Sequence, residues 1–275
     1  MNTRILLVMQ LVINLAVSGC GGKQEKKAEI TDRTGTLVFT ANGEDFVRRG
    51  FVSGDGWRIA LDTVLISLAN PKAYQLKSSD VREQVARGIL PEVSAAALSG
   101  NFIVDLAAGD TAALPIEVGR VKKAPAGVYN GLRLRLVKMK EGPYAGAVMV
   151  LKGRADKEGA LPIDFTLALD HEITATCGGY VGEHVKGTVK PGGLGEVEMT
   201  FHIDHLFGDG TRPPEDHVNT NALGFGWIAA RAENNVVRLS PSQAMEALGE
   251  KGRTTFSQVV RSLPHSGEGH CHCEQ

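Results

Sequence analysis

From Gly35 onward, short apolar runs alternate with turn residues. Thr36 to Ala41 is the first candidate strand, and Asn42-Gly43 turns the chain. A second turn, Gly54-Asp55-Gly56, leads into Trp57-Arg58-Ile59-Ala60-Leu61. Asp62 to Leu68 alternates and is rich in β-branched residues, which predicts a strand that stops at Pro71. Ser79 to Ala97 has helical character, with Val81, Val85 and Ile89, and Pro91 divides it. Strands resume at Asn101 to Leu106. Ala124-Pro125-Ala126-Gly127 then turns into Tyr129 to Met139. There Leu132, Leu134 and Leu136 alternate with Arg133, Arg135 and Lys138, so one face is buried and one is wet. Ala145 to Gly153, Leu161 to Thr176, His184 to Val189 and Glu196 to Phe207 read as further strands.

The tail differs. Ser240-Pro241-Ser242-Gln243 is an N-cap, a proline at the first helical position and a capping-box partner. A short helix to Leu248 follows, then a second from about Thr254 to Leu263, ended by Pro264. Many short strands and few helices predict a mainly β chain. The expected fold is an antiparallel β-sandwich with one short internal helical segment and a C-terminal helical extension. The expected divisions are a sandwich over 35–239, the extension over 240–264 and a His/Cys-rich tail over 265–275.

The first residues have another character. Arg4 precedes an apolar run from Ile5 to Val17. As a helix that run spans about 20 Å, short of the roughly 30 Å hydrocarbon core, and it reads as a signal peptide over 1–19. It ends Val17-Ser18-Gly19-Cys20. Small residues before a cysteine resemble the lipobox of bacterial lipoproteins. The resemblance implies cleavage before Cys20, lipidation of that residue and a membrane partner through the lipid anchor. Gly21 follows, with no aspartate there, which resembles the outer-membrane sorting pattern and implies a cell-envelope location. Residues 20–34 are polar and aperiodic, the composition of a flexible tether. PAGVYNGLRLRL (Pro125 to Leu136), preceded by NFIVDL (Asn101 to Leu106), resembles uncharacterised bacterial lipoproteins with a prealbumin-like β-sandwich. That likeness bears on the fold and implies no activity.

Composition narrows the partners. Hydrophobic residues make up 43 % and charged residues 22 %, which is ordinary for a folded chain. The net charge of −1 offers no basic face for nucleic acid. Aromatics at 5 % furnish few stacking platforms.

The candidate chemistry lies in the second half. All eight histidines follow residue 170. His265, Glu268, His270, Cys271, His272 and Cys273 concentrate imidazole, carboxylate and thiolate in the tail, a set suited to zinc, copper or nickel. In an oxidising envelope the same cysteines can instead form a disulfide, with each other or with Cys177. A tail at the terminus would form a mobile, shallow site. In TFHIDHLFGD, strand alternation sends His205 toward the core and sets His202 and Asp204 on the outer face. The same reasoning places His171 on the core face of Leu161 to Thr176, close to His205. Either couple can hold a metal with Asp170, Glu172, His184 or Asp209, or serve as hydrogen-bonded core and solvated surface residues. The loop 208–226 carries Asp209, Glu215, Asp216, His217, Asn219 and Asn221, oxygen donors at a density that suits calcium or a plain turn-rich connection.

Other chemistries lack their signatures. His171-Glu172 opens like a zinc-protease motif, but Ala175 stands where the second histidine belongs. G-x-S-x-G, P-loop, G-x-G-x-x-G and C-x-x-C patterns are absent. The first expectation is a lipid-anchored envelope protein that binds zinc, copper or nickel without catalysis. Its ligands would come from His171, His202, Asp204, His205, Asp209, His270, Cys271, His272 and Cys273. The alternative is a binding or structural module for a protein or glycan partner in the envelope. A metallohydrolase would further need an open metal position and a base such as Glu172 or Asp204.

Overall fold

The computed structural model describes residues 33–77, 81–91, 93–178, 187–266 and 269–274. The signal segment, Cys20, the tether up to residue 32, His184 and Glu268 lie outside them. Among the described residues, no helix is long and apolar enough to cross a membrane.

The chain is mainly β. Its strands are β1 (Thr34–Asn42), β2 (Phe51–Val52), β3 (Arg58–Tyr74), β4 (Ala96–Ala97), β5 (Asn101–Asp105), β6 (Ile116–Pro125), β7 (Gly127–Val128) and β8 (Gly131–Leu136). They continue as β9 (Met149–Asp156), β10 (Ile163–Leu169), β11 (Ile173–Gly178), β12 (Thr188–Val189), β13 (Leu194–Phe201), β14 (Val236–Leu239), β15 (Pro264–Ser266) and β16 (Gly269–Glu274). The helices are α1 (Glu44–Arg49), α2 (Val81–Ala86), α3 (Asp204–Phe207), α4 (His217–Thr220), α5 (Gly226–Ala229) and α6 (Pro241–Val259).

Hydrogen bonds run along the path β14-β10-β9-β3-β8-β11-β16-β15-β13-β1-β6, with β2, β4 and β5 also on β3. One core takes side chains from all along it: Phe39 of β1, Ile66 of β3, Leu134 of β8, Phe165 of β10 and Phe201 of β13. The sandwich-like fold follows from period-2 burial, as in β8, where Leu132, Leu134 and Leu136 are buried and Arg135 is exposed. Two pairs depart from the expected antiparallel rule. β1 with β13 and β10 with β14 are parallel, each joined through a long intervening stretch of chain.

Several boundaries differ from the expectation. Pro71 does not end β3. The register against β8 shifts between Ala69 and Lys72, and Asn70 takes φ 44°, so a bulge takes the proline out of the ladder. The helix expected over 79–97 is confined to α2, and Ala96 and Ala97 pair with β3 instead. The strand expected over 161–176 is broken at Asp170-His171-Glu172 into β10 and β11. The capping box forms: the Ser240 hydroxyl accepts from the Gln243 N–H, and the Gln243 side chain accepts from the Ser240 N–H. The two helices expected after it are both present within α6, and they meet at a kink at Gly249, directly after Leu248, where φ is 62° and ψ −173°.

The largest correction concerns residues 265–275. His265 and Ser266 belong to β15, and residues 269–274 form β16. β15 pairs with β13 and β16, and β16 pairs with β11. The segment is a hairpin built into the sheet rather than a mobile tail, because its backbone groups complete two ladders.

Candidate metal centre

β13 delivers Phe201 into the core and then leaves the ladder. The His202 N–H donates to the Leu263 carbonyl at 2.9 Å, and the His205 N–H donates to the His202 carbonyl at 3.2 Å. The single turn of α3 follows, pinned by buried Leu206 and Phe207. Gly208 closes it at φ 79°, and a Cβ there would lie 2.6 Å from the Asn219 side-chain oxygen. The alternation expected through residue 207 therefore stops at Phe201. His202, Asp204 and His205 do not divide between core and outer faces. Their ligand atoms lie within 4.8 Å of one another.

The contacts orient each group. His205 Nδ1 is 2.9 Å from the Ser262 carbonyl. A carbonyl only accepts, so Nδ1 carries the proton and Nε2 keeps its lone pair for a ligand. His202 Nε2 is 3.4 Å from a Glu44 carboxylate oxygen, while Nδ1 is 3.8 Å from Asp204 Oδ1. Two donors on one tetrahedral ion at ~2.1 Å stand about 3.4 Å apart, so a small side-chain adjustment brings these two to bonding distance. Asp204 Oδ1 is buried and has no hydrogen-bond partner among the described residues. Burial pushes the Asp204 carboxyl above its usual range, and the nearby His205 works against that shift.

His265 of the hairpin lies beside the group, outside the three residues whose ligand atoms are within 4.8 Å of one another. Its ring centroid is 4.2 Å from that of His202 and 5.8 Å from that of His205, and the His202 and His205 rings stack at 4.9 Å. Two cavities flank the cluster. One of about 430 Å³ is lined by His205, His265, Ser262 and His217 among others. The other, about 410 Å³, is lined by Glu44, His202, Asp204, His205 and Asp209 among others. His205 belongs to both walls.

The other expected ligands lie elsewhere or are engaged. His171 sits in the β10–β11 turn, its ring edge-on to Phe256 at 5.6 Å, and is not in the cluster. Asp209 lies beside it, but its carboxylate accepts from Thr211 N–H, Thr211 Oγ1 and Arg212 Nε. Burial acts to raise its pKa; those hydrogen bonds prevail and lower it. Cys271 is joined to Cys177 in a disulfide, so neither is a thiolate ligand. Cys273 is a free thiol whose pKa burial pushes up to about 11 against the pull of Arg261. His272 pairs with Glu274 at 3.4 Å. His270 stands opposite His265 in the β15–β16 ladder. Among the described residues, the disulfide removes Cys271 from the expected capture set, and no cluster of three metal ligands includes His272 or Cys273. In the 208–226 loop, Asp216 caps α4 and binds Arg212, and the Asn219 amide donates to the carbonyls of Asp209, Arg212 and Pro213. Those groups fix the loop instead of converging on an ion.

Glu44, Ser262 and the placement of His265 were not foreseen. Glu44 reaches His202 because β1 and β13 run parallel with Asn42 opposite Thr200, so both chains leave the sheet at the same end. Nothing local in the sequence carries that register. No family model, curated protein or solved structure matches the chain.

Proposed function

We propose that the protein is a lipid-anchored component of the cell envelope that binds a transition metal without catalysis, to buffer, deliver or sense it. The anchor rests on the Val17-Ser18-Gly19-Cys20 pattern. The metal reading rests on one observation: two imidazoles and a carboxylate converge within 4.8 Å, and the carboxylate has a buried oxygen without a hydrogen-bond partner among the described residues. His202 binds through Nδ1, His205 through Nε2 and Asp204 through Oδ1. The ion is zinc, copper or nickel, because imidazole with a carboxylate suits those metals better than calcium or magnesium. The membrane is the partner through Cys20, and an envelope protein is the expected recipient of the ion.

The test is metal content and calorimetric titration of the purified full chain against the double variant His202→Ala/His205→Ala. Wild type should retain about one equivalent and the variant well under ~0.2. Equal uptake by both, or none by wild type, overturns the assignment.

A further inference from the structure

We propose that His265 is a fourth donor to the same centre, and that the centre takes a divalent ion through nitrogen and oxygen alone. This rests on the metal reading above and specifies its ligand set and the class of ion.

The first argument is geometric. An imidazole centroid stands about 3.2 Å from an ion bound at ~2.1 Å. Two such rings on one ion are then about 4.5 Å apart at a right angle and about 5.2 Å apart at the tetrahedral angle. The His202–His205 separation, 4.9 Å, falls between those values, and the two that involve His265, 4.2 and 5.8 Å, fall within about 0.6 Å outside them, a gap that a side-chain rotation closes. His265 is also held in place. Its residue is 8 % exposed, and its backbone lies between Thr200 and His270 in two ladders. It lines the cavity that also reaches His205 and gives an ion a way in.

The second argument is chemical. Neither cysteine of the hairpin belongs to the cluster of ligand atoms. Cys271 is tied to Cys177 across the β11–β16 ladder, and Cys273 stands opposite Ala175 there. What β15 brings to the centre is an imidazole. Three neutral imidazoles and one carboxylate suit zinc(II), copper(II) or nickel(II). Copper(I) favours the thiolate and thioether ligands missing from the set. One carboxylate leaves a net charge of +1 on a loaded divalent site, and Glu44, 3.4 Å from His202 Nε2, supplies the counter-charge just outside it.

The experiment uses the full chain loaded with zinc or copper(II). X-ray absorption on the zinc form and pulsed electron paramagnetic resonance on the copper(II) form count imidazoles and detect sulfur. Wild type should show three imidazoles and no sulfur scatterer. His265→Gln should show two, with zinc affinity lowered about 10- to 100-fold. Cys273→Ser should change neither count nor affinity. Two imidazoles in wild type, or sulfur at ~2.3 Å, overturns this inference and leaves the three-residue centre standing. No metal in wild type overturns both. The wild-type count does not depend on any variant folding.

Discussion

Asp204 offers a test in which stability and binding move in opposite directions. Its side chain is 20 % exposed, and Oδ1 is buried without a hydrogen-bond partner. With no ion present, that carboxylate is a net cost to the fold. A buried polar group left unpaired costs about 1–3 kcal/mol. Asp204→Asn keeps the shape and removes the charge. The amide is still polar, so the gain belongs at the low end, about 1 kcal/mol. For a chain of this size that raises Tm by about 2–4 °C in chelator. With zinc at a thousand times its Kd, wild type gains about 4 kcal/mol, a rise of about 10 °C. Losing the carboxylate should weaken zinc binding at least ~100-fold, the upper value for an outer-shell partner, which removes about 2.7 kcal/mol of that gain. The two melting curves should therefore cross: the variant melts later in chelator and earlier in zinc. Differential scanning fluorimetry of both proteins under both conditions reads this directly. A variant that melts earlier in chelator and shows the full zinc shift would refute the reasoning, because Asp204 would then be a structural residue with no part in binding.

Three further outcomes are expected. Cys177 and Cys271 are 94 positions apart, so breaking their bond by reduction or by Cys177→Ala/Cys271→Ala should lower stability by about 2–5 kcal/mol; urea midpoints with and without reductant measure it, and an unchanged midpoint would contradict the pairing. Cys273, held at about 11 against an ordinary 9.0, should react with iodoacetamide at pH 8 about 100-fold more slowly in the native chain than in urea; equal rates would place the thiol in water. His171 is lowered first by burial, then by Arg261, against Asp170, so the unfolded chain takes the proton first as pH falls. Its contribution is present in full above about 6.5 and is lost as pH falls through the folded value. His171→Gln should flatten the dependence of the urea midpoint on pH between about 7 and 5, and an unaltered slope would contradict the burial of that ring.

Local rules read the chain well where local physics decides. The alternation of Leu132, Leu134 and Leu136 and the Ser240–Gln243 capping box depend on neighbours within one element, and both stand as expected. The same alternation misled at residues 202–205. It holds only while the chain stays in the ladder, and the departure after Phe201 is set by Leu206 and Phe207 burying in the core. His202, Asp204 and His205 were legible as candidates, but their union was not. The pairing of Cys177 with Cys271 was one of several open possibilities. It is decided by the β11–β16 register, a contact across 94 positions that no nearby residue encodes. Glu44 was invisible for the same reason, since only the parallel β1–β13 pairing brings it to His202.

The hairpin of β15 and β16 has a consequence for biosynthesis. It is the span that joins the two halves of the sheet path, β14 to β11 on one side and β13 to β6 on the other. Being made after the other described strands, it arrives at a nascent chain whose β11 and β13 edges are still open. Until it docks, those edges can pair with another chain, and His265 is not beside His202. Synthesis thus yields a chain whose edge protection and whose third imidazole at the proposed centre arrive in one event. Until then the molecule is exposed to chaperones and proteases through those open edges.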